Sequence, residues 1–189
     1  MVGYKQMYKR KLIDVEGALR LIKSGQEIAC ALVACEPVTM LSQLHTIKDR
    51  VENVSVVSAL LMNEYEFFMN PAMKGHFLFN SWFYTEGTRK AHPYGTVSYI
   101  PLELHRAASC RAFYRKPDIF LGCASTIDQH GYLSLSIDSV YEKELIALAN
   151  KVVLEVSPHF PRVYGDTHIH ISEVDHIIET DRMPPVIPI

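Results

Sequence analysis

The nine glycines of this 189-residue chain are never two positions apart. There is therefore no GxG, no GxGxxG and no Walker-type loop, and the usual backbone cradles for dinucleotides and nucleoside triphosphates are excluded. Long apolar runs are also lacking. The longest, Ile28 to Cys35, has eight residues, where a membrane-crossing helix needs roughly 20. Neither sign of charge is in excess: 19 Lys and Arg against 21 Asp and Glu leave a net −2. No basic stripe runs through either half, so neither nucleic acid nor a membrane is expected as a partner. Met1 to Arg10 contains no apolar h-region of a signal peptide, which points to a cytoplasmic protein. Cysteine is sparse. Cys30, Cys35, Cys110 and Cys123 form no CxxC pair, and four in this length do not make a disulfide scaffold. They are expected as reduced, mostly buried thiols.

What is present is the material of a folded core: 48% apolar residues against 21% charged, in a length that at ~150 residues per domain suits one domain, or one plus an appendage. Asp14 stands as an N-cap before Val15, Ala18, Leu19 and Ile22, and Gly25 as a stop, which predicts a helix. Strands are predicted at Ile28–Val33, Val54–Leu61, His76–Phe79, Val97–Ile100, Ile119–Ala124, Tyr132–Leu135 and Val152–Val156. Helices are predicted from Glu36-Pro37 to Lys48, over Leu102–Tyr114 and over Val140–Asn150, the last with a Ser139/Glu142 capping box. Thr167–Ser172 alternates and Ile177–Thr180 is strand-like. The stretch Asn63–Lys74 takes no assignment. Alternating strands and helices imply an α/β fold: an open, mainly parallel sheet with helices on both faces. The ending Met183-Pro184-Pro185-Val186-Ile187-Pro188-Ile189 is stiff and extended, as in an interdomain linker.

Several groupings could carry chemistry. Asp166, His168 and His170 alternate, so on a strand they share a face and could ligate zinc or iron. The same pattern suits the wet side of an edge strand, and no further ligand motif accompanies it. Cys30, Cys35 and Cys123 lie in or just after apolar strands, where a thiol behaves as a small hydrophobe. Cys35 alone precedes a helix start, the place for a reactive thiolate. No GxSxG elbow is present. Asp128-Gln129-His130-Gly131-Tyr132 has ordinary turn chemistry, yet follows a strand, where α/β sheets collect ligands.

Four stretches, in order, carry a likeness: Cys35-Glu36-Pro37 after the first strand; Thr88-Arg89-Lys90-Ala91; Asp128-Gln129-His130-Gly131-Tyr132-Leu133-Ser134-Leu135; and Gly165-Asp166 with His170-Ile171-Ser172-Glu173-Val174-Asp175. Together they resemble the N-terminal half of the acetyl-CoA hydrolase/transferase family, especially its 4-hydroxybutyrate and butyrate CoA-transferase members. Two departures stand out. The family's Gly-rich turn before Glu-Pro is here Ala31-Leu32-Val33-Ala34-Cys35, and its Ser-Pro motif is Ser125-Thr126-Ile127.

The resemblance implies the CoA-transferase type of open sheet, two related domains joined by a linker, and assembly as a homo-oligomer. Residues 1–182 would be the first domain and 183–189 the start of the linker, with a second, catalytic domain lying outside this chain. The implied chemistry is acyl transfer between a short-chain acyl-CoA and a carboxylate. A glutamate of the second domain attacks the thioester, and a glutamyl-CoA intermediate follows. Coenzyme A enters as substrate, with no further cofactor and no metal. This chain would then hold no catalytic residue and, alone, would be inactive. Neutral donors placed to orient an acid are Ser58, Asn63, Thr85 and Thr88. The cleft loops would be Glu36-Pro37 and Asp128, His130 and Gly131. An acyl-CoA hydrolase of the same family and a non-catalytic α/β binding or assembly module are the alternatives.

Overall fold

The computed structural model describes residues 3–186, without the side chains of 111–113. Seven strands form one sheet in which every pairing is parallel: β1 (Glu27–Cys30), β2 (Val54–Ser58), β3 (Phe77–Ser81), β4 (Val97–Tyr99), β5 (Ile119–Ala124), β7 (Lys151–Val156) and β9 (His176–Glu179). Their spatial order is β4-β3-β2-β1-β5-β7-β9. The chain starts at the centre, winds outward to β4, returns beside β1 as β5 and winds out the other way. The direction reverses between β1 and β5, and the carboxyl ends of those two strands border the crevice where open α/β sheets bind ligands.

The central strands are apolar on both faces because both faces are covered. Ile28, Cys30, Val54, Val56, Phe77 and Phe79 pack with Phe67, Phe68 and Leu41 on one side. Ala29, Ala31, Val57, Phe120, Val152 and Leu154 pack with Tyr141, Leu145 and Leu133 on the other. The α/β class read from the sequence is this architecture.

Element boundaries differ where tertiary contacts intervene. Residues 4–11, unassigned by pattern, form α1 (Tyr4–Lys11), which is mostly polar, with Met7 and Tyr8 packed partly buried against the second face of the core. It is held from outside by the Lys11 amine donating to the carbonyls of Ile171, at 2.7 Å, and Val174. Asp14 caps α2 (Val15–Leu19) through Gly17 N–H as expected. The long helix expected after Pro37 breaks into α3 (Val38–Leu41) and a 3-10 segment, Leu44–Arg50. The unassigned stretch yields α4 (Glu66–Met69) and a 3-10 turn at Pro71–Met73, and α5 (Glu86–Ala91) was not foreseen. The helix expected over Leu102–Tyr114 is α6 (Ala107–Tyr114), preceded by a 3-10 turn.

Two further expectations, about a cap and a sheet, are corrected. The Ser139 side chain does not cap α7 (Glu142–Leu148), whose N-cap is Tyr141; the Glu142 carboxylate alone turns back, accepting from Val140 N–H at 2.6 Å and Tyr141 N–H at 2.9 Å. And β6 (Tyr132–Ser134) leaves the main sheet, pairing antiparallel with β8 (His168–His170) in a two-stranded ribbon.

The strand expected over Ile28–Val33 stops at Cys30. Val33 then takes φ +48° and donates to the Leu60 carbonyl at 2.9 Å. This is left-handed backbone, costly for a β-branched residue. It occurs within the turn where Ala31-Leu32-Val33-Ala34-Cys35 lacks glycine.

Candidate active site

At the crevice the chain turns from β1 into α3 through Glu36-Pro37. Glu36 is 1% exposed, so its charge must be matched locally. One carboxylate oxygen accepts from Met62 N–H at 2.8 Å, the other from the side-chain amide of Asn63. The Tyr65 hydroxyl and the Arg182 guanidinium face the same group. Burial raises the Glu36 pKa, and these four neighbours hold it back. The loop after β2 is thereby fastened to the loop after β1.

Arg182 fastens the third side. It donates to the Glu36 carbonyl at 2.9 Å and approaches Cys123 Sγ on β5 at 3.1 Å, with its guanidinium 4.9 Å from the Phe160 ring centre. Its charge also faces Glu155, a buried carboxylate within β7 that accepts from Met40 N–H at 2.7 Å and Thr39 N–H at 3.2 Å. One cation thus serves two buried carboxylates, one on each side of the strand-order reversal.

Beside this lies a second acidic pair. Glu142 is 1% and Asp138 8% exposed. Burial, with the Glu142 charge added, pushes the Asp138 carboxyl up to about 7. The backbone N–H groups at the start of α7 favour the ionised form of Glu142, although burial raises it too. Cys35 lies next to both. Burial, then the charge of Asp138, pushes its thiol up to about 12, so it is protonated near neutral pH and not the thiolate that a reactive reading requires.

The residues singled out by sequence fall into three places. Glu36, Pro37 and Asn63 come together as described. Ser58 is fully buried at the end of β2, next to the Tyr141 hydroxyl. Thr85 and Thr88 engage each other at the start of α5: Thr85 Oγ1 accepts from Thr88 N–H at 3.3 Å, and Thr88 Oγ1 donates to the Thr85 carbonyl at 3.0 Å.

Asp128, His130 and Gly131 form the turn into the ribbon. Asp128 accepts from His130 N–H at 2.8 Å, Tyr132 N–H at 2.9 Å and Arg162 at 2.7 Å. Gly131 has φ +88°, and a Cβ there would stand 2.7 Å from Tyr4 and 2.8 Å from His170.

The Asp166–His168–His170 face is divided among other partners. Asp166 pairs with Lys143. His170 Nδ1 lies 2.7 Å from Ser172 Oγ, and its ring packs edge-on against Tyr4 and Tyr132. Among the described residues no three His, Cys, Asp or Glu side chains are placed to hold a metal ion, and no helix is long and apolar enough to cross a membrane.

Tyr65, Arg182 and Glu155 were not foreseen. Glu155 had a signal, being the one acid within the apolar run Val152–Val156. Arg182 had none, because its neighbours Met183-Pro184-Pro185 read as a departing linker. Residues 183–186 are described without regular structure, and 187–189 lie outside the described residues.

The family model described as the acetyl-CoA hydrolase/transferase N-terminal domain matches residues 1–188. Succinyl-CoA:cyclohexane-1-carboxylate CoA transferase of Geobacter metallireducens is 31% identical over 99% of this chain and 44% of its own length. The 4-hydroxybutyrate coenzyme A transferase of Clostridium kluyveri is 30% identical over 93% and 41%. This chain therefore spans less than half the length of the curated relatives it matches. The crystal structure of RipA from Yersinia pestis superposes with a TM-score of 0.91 at 26% identity, over all of this chain and 46% of that one. A 4-hydroxybutyrate CoA-transferase from Porphyromonas gingivalis shares the fold, with a TM-score of 0.79 at 22% identity over 97% and 43%.

Proposed function

The chain belongs to the acetyl-CoA hydrolase/transferase family, matching its N-terminal domain, and we propose that it serves as the first domain of a short-chain acyl-CoA:carboxylate CoA-transferase. The observation that carries the reading is that each of the three buried glutamates at the crevice has a carboxylate oxygen held by a backbone N–H. Glu36 is held by Met62 and Asn63, Glu155 by Met40 and Thr39, and Glu142 by Val140 and Tyr141. A nucleophile must be free to advance on a carbonyl carbon. These three build a floor, and the attacking glutamate belongs to a second domain, as the family resemblance implies.

In this reading the glutamate of the second domain attacks the thioester carbonyl and expels CoA thiolate, leaving a mixed anhydride. The thiolate returns to give a glutamyl-CoA thioester and releases the first acid; the acceptor carboxylate then attacks that thioester and expels CoA thiolate, and the thiolate attacks the acceptor's carbonyl in the second anhydride, giving the new acyl-CoA and freeing the glutamate. The first domain holds acyl and acid groups against the second and keeps out water, which would turn transfer into hydrolysis. Of the neutral donors read from the sequence, Asn63 stands at the crevice with its amide on Glu36, Ser58 is fully buried, and Thr85 and Thr88 are engaged in the α5 cap. Short-chain substrates, a homo-oligomeric assembly and a cytoplasmic setting accompany the proposal.

Isolated residues 1–189 are expected to exchange no labelled CoA between acyl-CoA and acetate. Coexpression with the C-terminal half found in the relatives is expected to restore exchange. Exchange by residues 1–189 alone overturns the placement of the nucleophile, and thioester loss to water in the reconstituted enzyme, without transfer, marks a hydrolase.

A further inference from the structure

Three consecutive residues ahead of the proline-rich end are held on the turn that follows β7. Thr180 N–H donates to the Val156 carbonyl at 2.9 Å, Asp181 Oδ1 lies 2.8 Å from His159 Nε2, and the Arg182 carbonyl accepts from Ser157 Oγ. Ser157 is fully buried and donates its N–H to the Ala124 carbonyl at 3.2 Å, so the grip is built on the carboxyl ends of β5 and β7. The Arg182 side chain reaches across to the crevice, onto the Glu36 carbonyl and Cys123 Sγ, with the buried Phe160 ring against its guanidinium.

Main chain and side chain of one residue are thus fixed at once, the first by the turn after β7 and the second by the turn after β1. Immediately beyond stand Met183, Pro184 and Pro185. A residue ahead of a proline is kept extended, and a proline-rich stretch advances by about 3.1 Å per residue with little bending. A fixed point followed by a stiff segment sets the line along which the backbone leaves the crevice.

We propose that Arg182 is a positioning residue for CoA transfer: by pinning the take-off of the segment from 183 onward to the Glu36 turn, it holds the second domain at the crevice and keeps water out. The inference rests on the transferase reading above, from which it takes the second domain. A domain on a slack tether samples many placements, and its effective concentration at the crevice falls as the tether loosens. Misplacement of reacting groups by about 1 Å costs roughly a hundredfold in rate. The Arg182 guanidinium is engaged by a main-chain carbonyl and a thiol and faces two buried carboxylates, so it acts through position and not by touching substrate.

The test joins this chain to the C-terminal half found in the relatives as one polypeptide. Two variants are made in it: Arg182→Met, and Pro184→Gly with Pro185→Gly, which leaves the buried contacts in place and loosens only the departing segment. Each is expected to lower kcat about tenfold or more, with the acceptor KM within about threefold, and to raise the share of thioester lost to water. With the two halves coexpressed as separate chains there is no tether to direct, and Arg182→Met is expected to change the rate less than about threefold. An equal loss in one chain and in two would mean that Arg182 acts on the crevice floor directly, and it overturns the proposal, as does wild-type kcat in both joined variants. Trypsin gives a readout without turnover, because it must draw the Arg182 side chain into its own pocket to cut before Met183. Cleavage there in the 189-residue chain is expected to be at least about tenfold slower than in a synthetic peptide of residues 178–189, and Ser157→Ala, which frees the Arg182 carbonyl, to speed it severalfold. Cleavage of the folded chain at the peptide's rate overturns the proposal and leaves the transferase reading intact. A joined wild type that exchanges no CoA, with Arg182 protected from trypsin, removes the transferase reading and leaves the clamp standing.

Discussion

The guanidinium of Arg182 donates to the backbone carbonyl of Glu36 at 2.9 Å across 146 residues of sequence. The last described segment is thereby tied to the first turn after β1. Ser157 Oγ reinforces the tie by donating to the Arg182 carbonyl at 2.8 Å, as does His159 Nε2, 2.8 Å from Asp181 Oδ1.

Arg182→Met removes a charged donor and leaves Glu36 and Glu155 without the cation they share. The expected loss is about 1–3 kcal/mol, reduced because Arg182 is partly exposed. Arg182→Lys is expected to recover less than half of it, since one ammonium does not reproduce the planar fork. Urea denaturation measures both, and an unchanged midpoint for Arg182→Met would refute the tie.

Replacing Glu36 separates a structural from a nucleophilic role. In Glu36→Gln the amide oxygen can still accept from Met62 N–H, and the Asn63 amide can turn to accept from the new NH₂. A cost under about 1.5 kcal/mol is expected, against about 3 for Glu36→Ala, which strands both donors. In the reconstituted enzyme Glu36→Gln is expected to retain CoA exchange within roughly tenfold of wild type. Loss by several orders of magnitude in a stable variant would instead identify Glu36 as the nucleophile.

Asp138 gives stability a pH dependence of defined sign. Its carboxyl is raised from an ordinary 3.8 to about 7 in the folded chain. Between those values the folded state therefore holds a proton that the unfolded state has released. The Asp138 contribution to stability is fully present below about 4 and declines as pH rises towards 7, with a slope of at most about 1.4 kcal/mol per pH unit. Asp138→Asn is expected to flatten this part of the profile. Denaturation midpoints taken from pH 4.5 to 7.5 test it, and an unaltered slope in the variant counts against Asp138 as the source.

Gly131 and Gly25 share a left-handed backbone, at φ +88° and +73°, and differ in their surroundings. A Cβ at 131 meets Tyr4 and His170, and one at 25 meets nothing within 4 Å. Gly131→Ala is expected to cost about 2–4 kcal/mol from strain and collision together, and Gly25→Ala about 1 from strain alone. Equal losses in thermal unfolding would mean that the α1–ribbon contact contributes nothing.

The sequence by itself determined the class of fold. Ile28–Cys30 and Ile119–Ala124 carry no polar side chain at successive positions because each is buried on both faces, and that pattern specifies parallel strands covered by helices. It also marked the Glu36-Pro37 turn and the Asp128–Gly131 turn, since turn chemistry is local. Strand order, and with it the crevice between β1 and β5, depends on long-range pairing that no window of residues records. Tertiary structure alone brought Arg182 back from a linker-like segment to Glu36, because a single long side chain can span elements that sequence spacing separates. It shortened β1, since Val33 meets the Leu60 carbonyl and leaves the strand. It committed Thr85 and Thr88 to a helix cap, where the α5 backbone competes for their hydroxyls. And it buried Trp82 Nε1 unpaired, because whether a polar atom finds a partner depends on every element packed around it.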